Sequence, residues 1–461
     1  MNLKYFIIAV VLFLGMLLFI GCTNDLSPKN DKGSKETDEI TVTVAPENQS
    51  SSNDIKDMQK TGAASQADDI TAKANKEAII RQEDNYVGAY DTKEYRNVFQ
   101  EYGYTDSQIQ YKLDTAWNTL FYGNSTEKIY YEADNDEAYI LDTGNLDVRS
   151  EGMSYGMMMC VQMDKQEEFD KIWKWAKNHM QITEGPNEGY FRWSMQQDGT
   201  SNSNGPAPDG EEYFAMALFF ASHRWGDKEA PFDYSAQAKY ILHQALHQED
   251  DGSGDNMWNL DNKLIKFVPN STFTDPSYHL PHFYELFALW AYEEDREFFQ
   301  EAAAASRKYL QAAVNDVTGL APEYATYEGV PVSNNGGHDY FFSDAYRVAG
   351  NIGLDYLWFA ADPWQQEMAG KIQAFFVKEG IGKHYSKYTV DGTADTSANY
   401  QATGLVAMNA MASLASDGKD ARVMIEDLWS RSPATGKWRY YDDCLYFFSI
   451  LSLSGNYRIW E

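Results

Sequence analysis

The pattern of hydrophobic and polar positions from about residue 86 onward predicts helices and very few strands. Apolar residues recur with helical spacing, whereas the period-two alternation that marks a half-buried strand is scarce. Gly, Pro, Asp and Tyr are concentrated between the periodic stretches, as is typical of loops. The spacing predicts twelve helices, at 106–120, 152–163, 166–181, 211–225, 234–248, 279–293, 296–312, 343–360, 364–378, 403–415, 419–430 and 441–453.

The predicted helices are of two kinds. Stretches such as YFAMALFFASHRW and GLVAMNAMASLA are apolar on nearly all sides, whereas neighbours such as EEFDKIWKWAKNHM have one apolar face. A helix that is apolar all round is buried, and a helix with one apolar face lies at a surface. Alternation of the two kinds indicates two concentric layers. Six helical hairpins closed into a ring give an all-α fold, an (α/α)6 barrel, whose inner helices all begin at the same end.

The first 85 residues differ from the rest of the chain. Lys4 is followed by an apolar run from Phe6 to Ile20 and by the lipobox pattern LFIGC, which ends at Cys22. We interpret residues 1–22 as a lipoprotein signal peptide whose cleavage leaves Cys22 acylated, with an uncleaved anchor as the alternative. Residues 23–85 are polar and nearly free of aromatic side chains, which predicts a disordered tether. Residues 86–461 then form one folded domain outside the cytoplasm, lipid-anchored to a bacterial cell membrane.

The composition narrows the class of ligand. The chain has 69 acidic and 38 basic side chains and a formal net charge of −31. Nucleic-acid binding depends on clustered Lys and Arg, so this balance argues against it. The 12 Trp and 32 Tyr favour a neutral, polyhydroxylated ligand, because aromatic rings pack on the C–H faces of sugars while carboxylates bind their hydroxyls.

Unusual polar residues lie just before the apolar helices or in their first turns. A closed ring whose inner helices begin at one end would bring these side chains into one cleft. They are Glu151, Asp209, Glu211, Glu212, Asp275, Tyr278, His279, His282, His338, Asp339, Asp344 and Arg347.

Helix capping explains some of these acids. An acid in a first turn often only complements the helix dipole and accepts hydrogen bonds from free N–H groups. That role is sufficient for Glu211 and Glu212, and Asp275 before Pro276 is most simply a cap. Three acids are not explained in this way, because each leads into a helix too apolar to need a solubilising charge: Glu151, Asp209 and Asp344.

Paired carboxylates in an aromatic cleft point to glycoside hydrolysis, in which one acid protonates the leaving oxygen and one carboxylate activates water or attacks carbon. Metal chemistry is less well supported. His243 and His247 in HQALH lack the adjacent glutamate of a zinc protease, and packing of an amphipathic helix explains them. Cys160 and Cys444 lie in apolar contexts and are expected to be buried thiols, with a disulfide as the alternative. We therefore expect no metal ion and no cofactor.

The chain resembles glycoside hydrolase family 8, whose members are inverting enzymes with an (α/α)6 barrel. The resemblance runs from about Val87 to Trp460 and rests on LDTGNLDVRSEGMSYGMMM, GPAPDGEEYFAMALFFASHRWG, DPSYHLPHFYELF, FFSDAYRVAGNIGLD and RYYDDCLYFFSILSLSGN. Within the family the chain is most similar to the exo-oligoxylanases that release xylose from the reducing end. The resemblance implies a monomeric hydrolase of β-1,4-xylosidic bonds in xylo-oligosaccharides.

The resemblance also implies roles for single residues. Glu151 is similar to the general acid, Asp344 to the general base, and Asp209 to the carboxylate that positions and distorts the sugar. Arg347, one helical turn after Asp344, would keep the base ionised. Burial beside the methionines that follow Glu151 would raise its pKa. The sugar-binding candidates, for which structural packing is the alternative, are Tyr155, Trp193, Tyr278, His279, Arg347, Gln401 and Tyr441.

One loop departs from the family pattern. Relatives that release reducing-end xylose carry Leu-His-Pro in the loop before the GL helix, where it blocks the cleft and binds the terminal hydroxyl. Anchored on Gly404 and Leu405, this chain has NYQATGL, so that Gln401 replaces the histidine. Without the proline, an open cleft and endo cleavage of xylan are the alternative. A surface lipoprotein that binds sugar without turnover is an alternative of another class.

Overall fold

Helices dominate the part of the chain that the structure describes. The structure, a computed structural model, describes residues 86–461 apart from 251, 253 and 335. The helices are α1 (Ala89–Thr92), α2 (Val98–Glu101), α3 (Asp106–Tyr122), α4 (Ser150–Gln162), α5 (Gln166–Trp175), α6 (Pro208–Trp225), α7 (Tyr234–His247), α8 (Pro281–Trp290), α9 (Arg296–Ala313), α10 (Tyr346–Phe359), α11 (Trp364–Glu379), α12 (Thr403–Met411), α13 (Lys419–Ser430) and α14 (Arg439–Leu453).

All twelve predicted helices are confirmed, with differences at their ends. The helix predicted at 166–181 is α5 followed by a π-helical turn, Ala176–Met180, and the one predicted at 343–360 begins as a 3-10 turn, Ser343–Ala345. Apolar periodicity does not separate such turns from an α-helix. The short helices α1 and α2 are missed, because four residues are too few for a periodic pattern.

Six of the helices form a closed inner ring: α4, α6, α8, α10, α12 and α14. Each contacts the next along the chain, and α14 contacts α4, which closes the ring. The other long helices lie outside the ring, and each packs on at least one inner helix: α3, α5, α7, α9, α11 and α13. This arrangement confirms the predicted (α/α)6 barrel.

Burial separates the two layers. In α4 every residue except Glu151 is buried, and in α6 the whole stretch from Pro208 to Ala221 is buried. The outer helix α9 buries only one face, at positions three and four residues apart. Cys160 in α4 and Cys444 in α14 are buried free thiols, as expected.

Short antiparallel strands lie between the helices. One sheet has the order β1–β2–β3–β4, with β1 Tyr130–Ala133, β2 Glu137–Asp142, β3 Asp147–Arg149 and β4 Ser194–Met195. Two further pairs join β5 (Trp258–Asn259) to β6 (Leu264–Ile265) and β7 (Tyr340–Phe341) to β8 (Tyr388–Thr389). Strand β3, paired through Arg149 with Ser194, runs directly into α4. The sheet therefore fixes where α4 begins and where Glu151 lies.

The inner helices begin at the same end of the barrel. Hydrogen bonds and ion pairs of Arg347, at the start of α10, reach residues at the starts of α4 and α6 and before α8. The Asp442 carboxylate in the first turn of α14 accepts hydrogen bonds from the backbone N–H groups of Thr403 and Gly404 at the start of α12. The polar residues that precede the apolar helices in sequence are thus brought together in space.

The predictions for the N-terminal segments lie outside the described residues. Residues 1–22, interpreted as a signal peptide, and residues 23–85, interpreted as a tether, therefore remain predictions. Across the part of the chain that is described, no helix has the length and hydropathy needed to span a bilayer.

Two glycines mark the difference between the layers. A Cβ atom at Gly353, buried in the inner helix α10, would lie 2.6 Å from the carbonyl oxygen of Met411 in α12. A Cβ atom at Gly370, in the outer helix α11, would meet no atom within 4 Å. Gly353 therefore permits a close approach of two inner helices, whereas Gly370 has no such role.

We expect opposite effects from the two alanine substitutions. Gly353→Ala forces the α10 and α12 backbones apart and is expected to lower the free energy of unfolding by about 1–3 kcal/mol. Gly370→Ala only restricts the unfolded chain and is expected to raise it by about 0.5–1 kcal/mol. Urea unfolding of both variants measures these changes. Equal effects at the two positions would contradict the assignment of the layers.

Candidate active site

The side chain of Arg347 lies at the centre of a cluster of carboxylates. It projects from the first turn of α10 and is only 5% exposed. Its Nη1 donates hydrogen bonds to Glu151 Oε2 at 3.1 Å, to Asp209 Oδ2 at 2.9 Å and to the Tyr155 hydroxyl at 2.9 Å. One guanidinium nitrogen thus joins the first turns of α4, α6 and α10.

The other terminal nitrogen of Arg347 faces two further acids. Nη2 lies 3.8 Å from Asp344 Oδ1 and 3.8 Å from Asp275 Oδ2. Asp275 is the N-cap of the 3-10 turn Pro276–Tyr278, as predicted, and its Oδ1 accepts a hydrogen bond from the backbone N–H of Ser277. Burial raises the pKa of Asp275 well above its ordinary value. This acid is therefore both a cap and a member of the cluster in which burial favours the protonated form.

Glu151 is held in a setting that favours its protonated form. Its Oε1 accepts a hydrogen bond of 2.8 Å from the Tyr440 hydroxyl. Burial raises the pKa of Glu151 to about 7, an effect that the Arg347 cation opposes and the charges of Asp209 and Asp344 reinforce. Since a Cβ atom at Gly152 would lie 2.6 Å from the Tyr440 hydroxyl oxygen, a glycine is needed there. Glu151 can therefore carry a proton near neutral pH.

Asp209 and Asp344 differ in their access to solvent. The Asp209 side chain is 6% exposed, and its Oδ1 accepts a hydrogen bond from the backbone N–H of Gly210. Burial raises the pKa of Asp209, although Arg347 opposes the shift. The Asp344 side chain is 32% exposed and lies on the 3-10 turn before α10. Asp344 is the acid in this cluster that water reaches most easily.

The geometry limits the distance between Glu151 and Asp344. Both contact terminal nitrogens of the same guanidinium, at 3.1 and 3.8 Å. Because those two nitrogens are only about 2.3 Å apart in the planar group, the facing carboxylate oxygens lie no more than about 9 Å from each other. Inverting glycosidases keep their carboxyl groups about 6.5–9.5 Å apart, so that a water molecule fits between one of them and the sugar. The limit is compatible with an inverting arrangement.

Three of the predicted sugar-binding tyrosines support the Arg347 side chain. Tyr155 is buried, and its hydroxyl oxygen accepts the hydrogen bond from Arg347 Nη1. The rings of Tyr278 and Tyr441 lie 5.5 and 5.9 Å from Arg347 Cζ. The Tyr441 hydroxyl also donates to the carbonyl oxygen of Ser343, beside Asp344. These rings pack around the cation, where the electron-rich faces stabilise a positive charge.

Trp193 is the predicted aromatic residue with an open face. Its side chain is 41% exposed and borders a cavity of about 360 Å³. The Trp193 carbonyl oxygen accepts a hydrogen bond from the N–H of Ser150, the residue before Glu151, and the guanidinium of Arg149 lies 5.6 Å from its ring. This exposed indole ring, on a residue whose backbone is hydrogen-bonded to the start of α4, offers a flat apolar surface for a sugar ring.

The prediction that His279 contacts the sugar is wrong. This side chain is fully buried, its Nε2 lies 3.0 Å from the Thr274 hydroxyl, and its Nδ1 lies 2.9 Å from the Ser306 hydroxyl. Burial lowers the pKa of His279 to about 3, so the ring is neutral. Both nitrogens are occupied by protein groups, and its role is structural.

Glu211 and Glu212 do not act as first-turn charges on the helix dipole. Both are buried, Glu211 accepts a hydrogen bond from the N–H of Phe191, and Glu212 accepts one from the Tyr284 hydroxyl. Burial raises the pKa of Glu211 to about 8 and that of Glu212 well above its ordinary value. Burial of this part of the helix thus favours the protonated form of both acids, and both serve as hydrogen-bonding groups.

Gln401 lies in the loop before α12. Its Nε2 donates a hydrogen bond of 2.8 Å to the carbonyl oxygen of His384. The neighbouring Tyr400 is 50% exposed, and its carbonyl oxygen accepts a hydrogen bond from Ser386 Oγ at 2.7 Å. The carbonyl oxygen of Ser386 accepts one from the hydroxyl of Tyr346, two residues after Asp344. The loop is thus tied to the turn that carries Asp344.

Sequence reasoning missed two groups beside the cluster. The sequence motifs point to Tyr441 as the candidate, but its neighbour Tyr440 is the residue that donates a hydrogen bond to Glu151. Glu323 lies in a loop, where its Oε2 is 2.8 Å from His338 Nδ1, and burial raises its pKa to about 9. The first-turn position of Tyr440 was a usable signal, whereas the loop around Glu323 shows no pattern that marks it.

The arrangement defines a class of protein. A protonatable acid, a water-accessible carboxylate and a third carboxylate, joined by one cation beside an exposed tryptophan, provide the groups for glycosidic bond hydrolysis. The chain belongs to the glycosyl hydrolases family 8, whose family model matches residues 132–454. The family predicted from the sequence motifs is thereby confirmed.

Similar proteins cover nearly all of the described chain. The reducing end xylose-releasing exo-oligoxylanase of Halalkalibacterium halodurans is 56% identical over 375 residues, which span 81% of this chain and 96% of that enzyme. The protein of the same name from Bifidobacterium adolescentis is 47% identical over 369 residues, 78% of this chain and 96% of its own. A solved structure of an exo-oligoxylanase variant from Paenibacillus barcinonensis, complexed with an arabinofuranosyl-xylotetraose, has a TM-score of 0.80 at 55% identity and covers 82% of this chain and 99% of that one.

The hydrogen bond from the Tyr440 hydroxyl stabilises the ionised form of Glu151 and lowers its pKa. We therefore expect Tyr440→Phe, which removes this bond, to raise the pKa of Glu151 above its value of about 7. Infrared difference spectra against Glu151→Gln would follow the protonated carboxyl band as the pH rises. The matched control is Tyr446→Phe, in the same helix, whose hydroxyl donates to the carbonyl oxygen of Arg431. An unchanged or lower titration midpoint in Tyr440→Phe, or an equal shift in the control, would contradict this picture of the site.

Proposed function

We propose that the protein is an inverting glycoside hydrolase that cleaves β-1,4-xylosidic bonds in xylo-oligosaccharides and releases xylose from the reducing end. One observation carries the proposal. Arg347 brings Glu151, Asp209 and Asp344 together in a chain that matches exo-oligoxylanases along almost their whole length. Turnover distinguishes this function from that of a lipoprotein that only binds sugar.

Each carboxylate has a role that follows from its surroundings. Glu151, with a pKa of about 7, donates its proton to the leaving oxygen. Asp344, the more exposed acid, accepts a proton from the attacking water, and Arg347 lies at ion-pair distance from it. Asp209, fixed by Arg347 and by the Gly210 N–H, binds the sugar hydroxyls at the cleavage point and holds the ring in a distorted conformation. Trp193 provides an aromatic surface for a neighbouring xylose unit.

Exo action needs a closed end to the cleft. The Leu-His-Pro sequence is absent, but the loop with Tyr400 and Gln401 is fixed through Ser386 to the turn of Asp344. The N–H of Ala402 also donates to Ser386 Oγ at 3.0 Å. We assign the end of the cleft to this loop, with the half-exposed Tyr400 as the barrier. Hydrogen bonds thus hold this loop in place where the relatives have a proline. The similarity to exo-oligoxylanases favours exo action over endo cleavage.

The location of the enzyme rests on the sequence before residue 86. The lipobox pattern that ends at Cys22 supports acylation of that cysteine and attachment to the outside of the cell membrane. The polar residues 23–85 then serve as a tether between the membrane and the barrel. Mass spectrometry of the chain extracted from membranes tests this: a lipid-bearing N-terminal Cys22 is expected, whereas a chain that still begins at Met1 would show an uncleaved anchor.

We expect xylotetraose labelled at its reducing end to give labelled xylose and unlabelled xylotriose. Ser386→Ala removes the two hydrogen bonds between the Ser386 hydroxyl and the loop at Tyr400 and Ala402, and it is expected to allow some endo cleavage. Loss of such a hydrogen-bonded contact is worth about 0.5–1.5 kcal/mol, so the ratio of labelled xylobiose to labelled xylose should rise roughly two- to tenfold. Chromatography of the labelled products measures that ratio.

The matched control is Ser397→Ala in the same loop, whose hydroxyl donates only to Asp395 at the surface. It should retain the wild-type products. Xylobiose that carries the reducing-end label as the main wild-type product would show endo action and contradict the proposed function. A Ser386→Ala product ratio equal to that of the control would contradict the role of the loop alone.

A further inference from the structure

We propose that His243, His247 and Asp295 bind a divalent transition-metal cation of the zinc type, at a site separate from the Arg347 cluster. His243 and His247 lie one turn apart near the end of α7, and Asp295 ends the 3-10 turn Glu293–Asp295 that precedes α9. Packing of an amphipathic helix is enough to explain the two histidines by themselves. The structure adds a buried carboxylate from a segment about 50 residues further along the chain.

The ligand atoms have nearly the spacing that a metal ion requires. Nδ1 of His243 lies 3.0 Å from Asp295 Oδ2, and Nε2 of His247 lies 2.7 Å from Asp295 Oδ1. All three ligand atoms lie within 4.8 Å of one another. In a tetrahedral zinc site with bonds of about 2.0–2.1 Å, the ligand atoms are about 3.3 Å apart. Small side-chain rotations therefore suffice to surround an ion.

The groups behind the histidines also fit a metal site. Nδ1 of His247, the nitrogen that faces away from Asp295, lies 2.7 Å from Asp250 Oδ2. A histidine that binds a metal almost always donates its other N–H to a carboxylate or carbonyl group, which fixes the tautomer and the ring. The ring of Tyr292 packs edge-on against His243, with centroids 5.5 Å apart. Both imidazoles are thus oriented by neighbours.

Both nitrogens of His247 lie at hydrogen-bond distance from carboxylate oxygens. Either a second ring proton or a metal ion at Nε2 satisfies the contact to Asp295, so the metal would take the place of a proton. Asp295 is 1% exposed, which favours a bound ion, whereas the two histidines are 32% exposed, which leaves room for water as a fourth ligand.

The ligand set predicts which ions bind. Two imidazoles and one carboxylate suit Zn²⁺ and its transition-metal neighbours, whereas Mg²⁺ and Ca²⁺ prefer oxygen ligands. An ion at this site would connect α7 to the segment that starts α9. Because the ion binds the folded chain, it would stabilise the outer layer and leave the chemistry of the carboxylate cluster unchanged.

The test uses the full chain without a histidine tag, stripped of metal with a chelator and then titrated with Zn²⁺ in a calorimeter. We expect one Zn²⁺ per chain and a higher thermal unfolding midpoint, with no such effect of Mg²⁺. His247→Gln should abolish this binding. Asp250→Asn, an exposed change behind the ligand, should weaken it about 10- to 100-fold. Hydrolysis of xylo-oligosaccharides by each variant shows that its fold is intact.

The matched control is His179→Gln, because His179 Nε2 also contacts a carboxylate, Glu137 Oε2 at 2.9 Å, but has no second histidine beside it. It should bind Zn²⁺ as the wild type does. The proposal is overturned if wild-type protein takes up no Zn²⁺, or if His247→Gln and Asp250→Asn bind it as tightly as the wild type. Should His247→Gln fail to fold, the wild-type titration and Asp250→Asn decide. These outcomes do not depend on the products of xylotetraose hydrolysis.

Discussion

The buried guanidinium of Arg347 is the interaction on which the rest of the site depends. Four carboxyl groups, from Glu151, Asp209, Asp275 and Asp344, lie around this one cation. Burying several negative charges beside one positive charge is unfavourable, so some of the acids must be neutral. The cluster meets that constraint by unequal environments, in which burial raises the pKa values of Asp275 and Glu151 while Asp344 stays accessible to water. Similar side chains thus differ in proton affinity and in access to water, as the proposed acid and base roles require.

The closed ring of inner helices is what makes such a cluster possible. The contacts of Arg347 join the starts of α4, α6 and α10 and the turn before α8, and Tyr440 brings in α14. Each of these groups sits at a helix start, where free N–H groups and the helix dipole favour acidic side chains. The barrel therefore supplies both the position and part of the electrostatic support. Its close packing, seen at Gly152 and Gly353, keeps these distances short.

Local patterns determined how much was predictable from the sequence. The twelve helices, their two kinds and the acids that begin them follow from hydrophobic spacing, which each segment carries by itself. Contacts between distant segments cannot be predicted from that spacing. Tyr440 reaches Glu151 across 289 residues, and Ser306 takes the second nitrogen of His279 from a different helix, so neither partner is visible beside its counterpart in sequence. Asp295 is likewise separated from His247 by 48 residues, so the sequence does not show that a carboxylate lies between the two histidines.

The Arg347 cation sets how strongly the carboxylates around it hold their protons. The most direct measurement is the pH dependence of kcat/KM for xylo-oligosaccharide hydrolysis by Arg347→Gln, compared with the wild type. Because Arg347 lowers the pKa of Glu151, its removal should move the basic limb, which follows loss of the Glu151 proton, to higher pH. The rate at the optimum should fall at least about 100-fold, since the cluster loses the group that orients its acids. A folded Arg347→Gln enzyme with an unmoved basic limb and a rate near that of the wild type would contradict the claim.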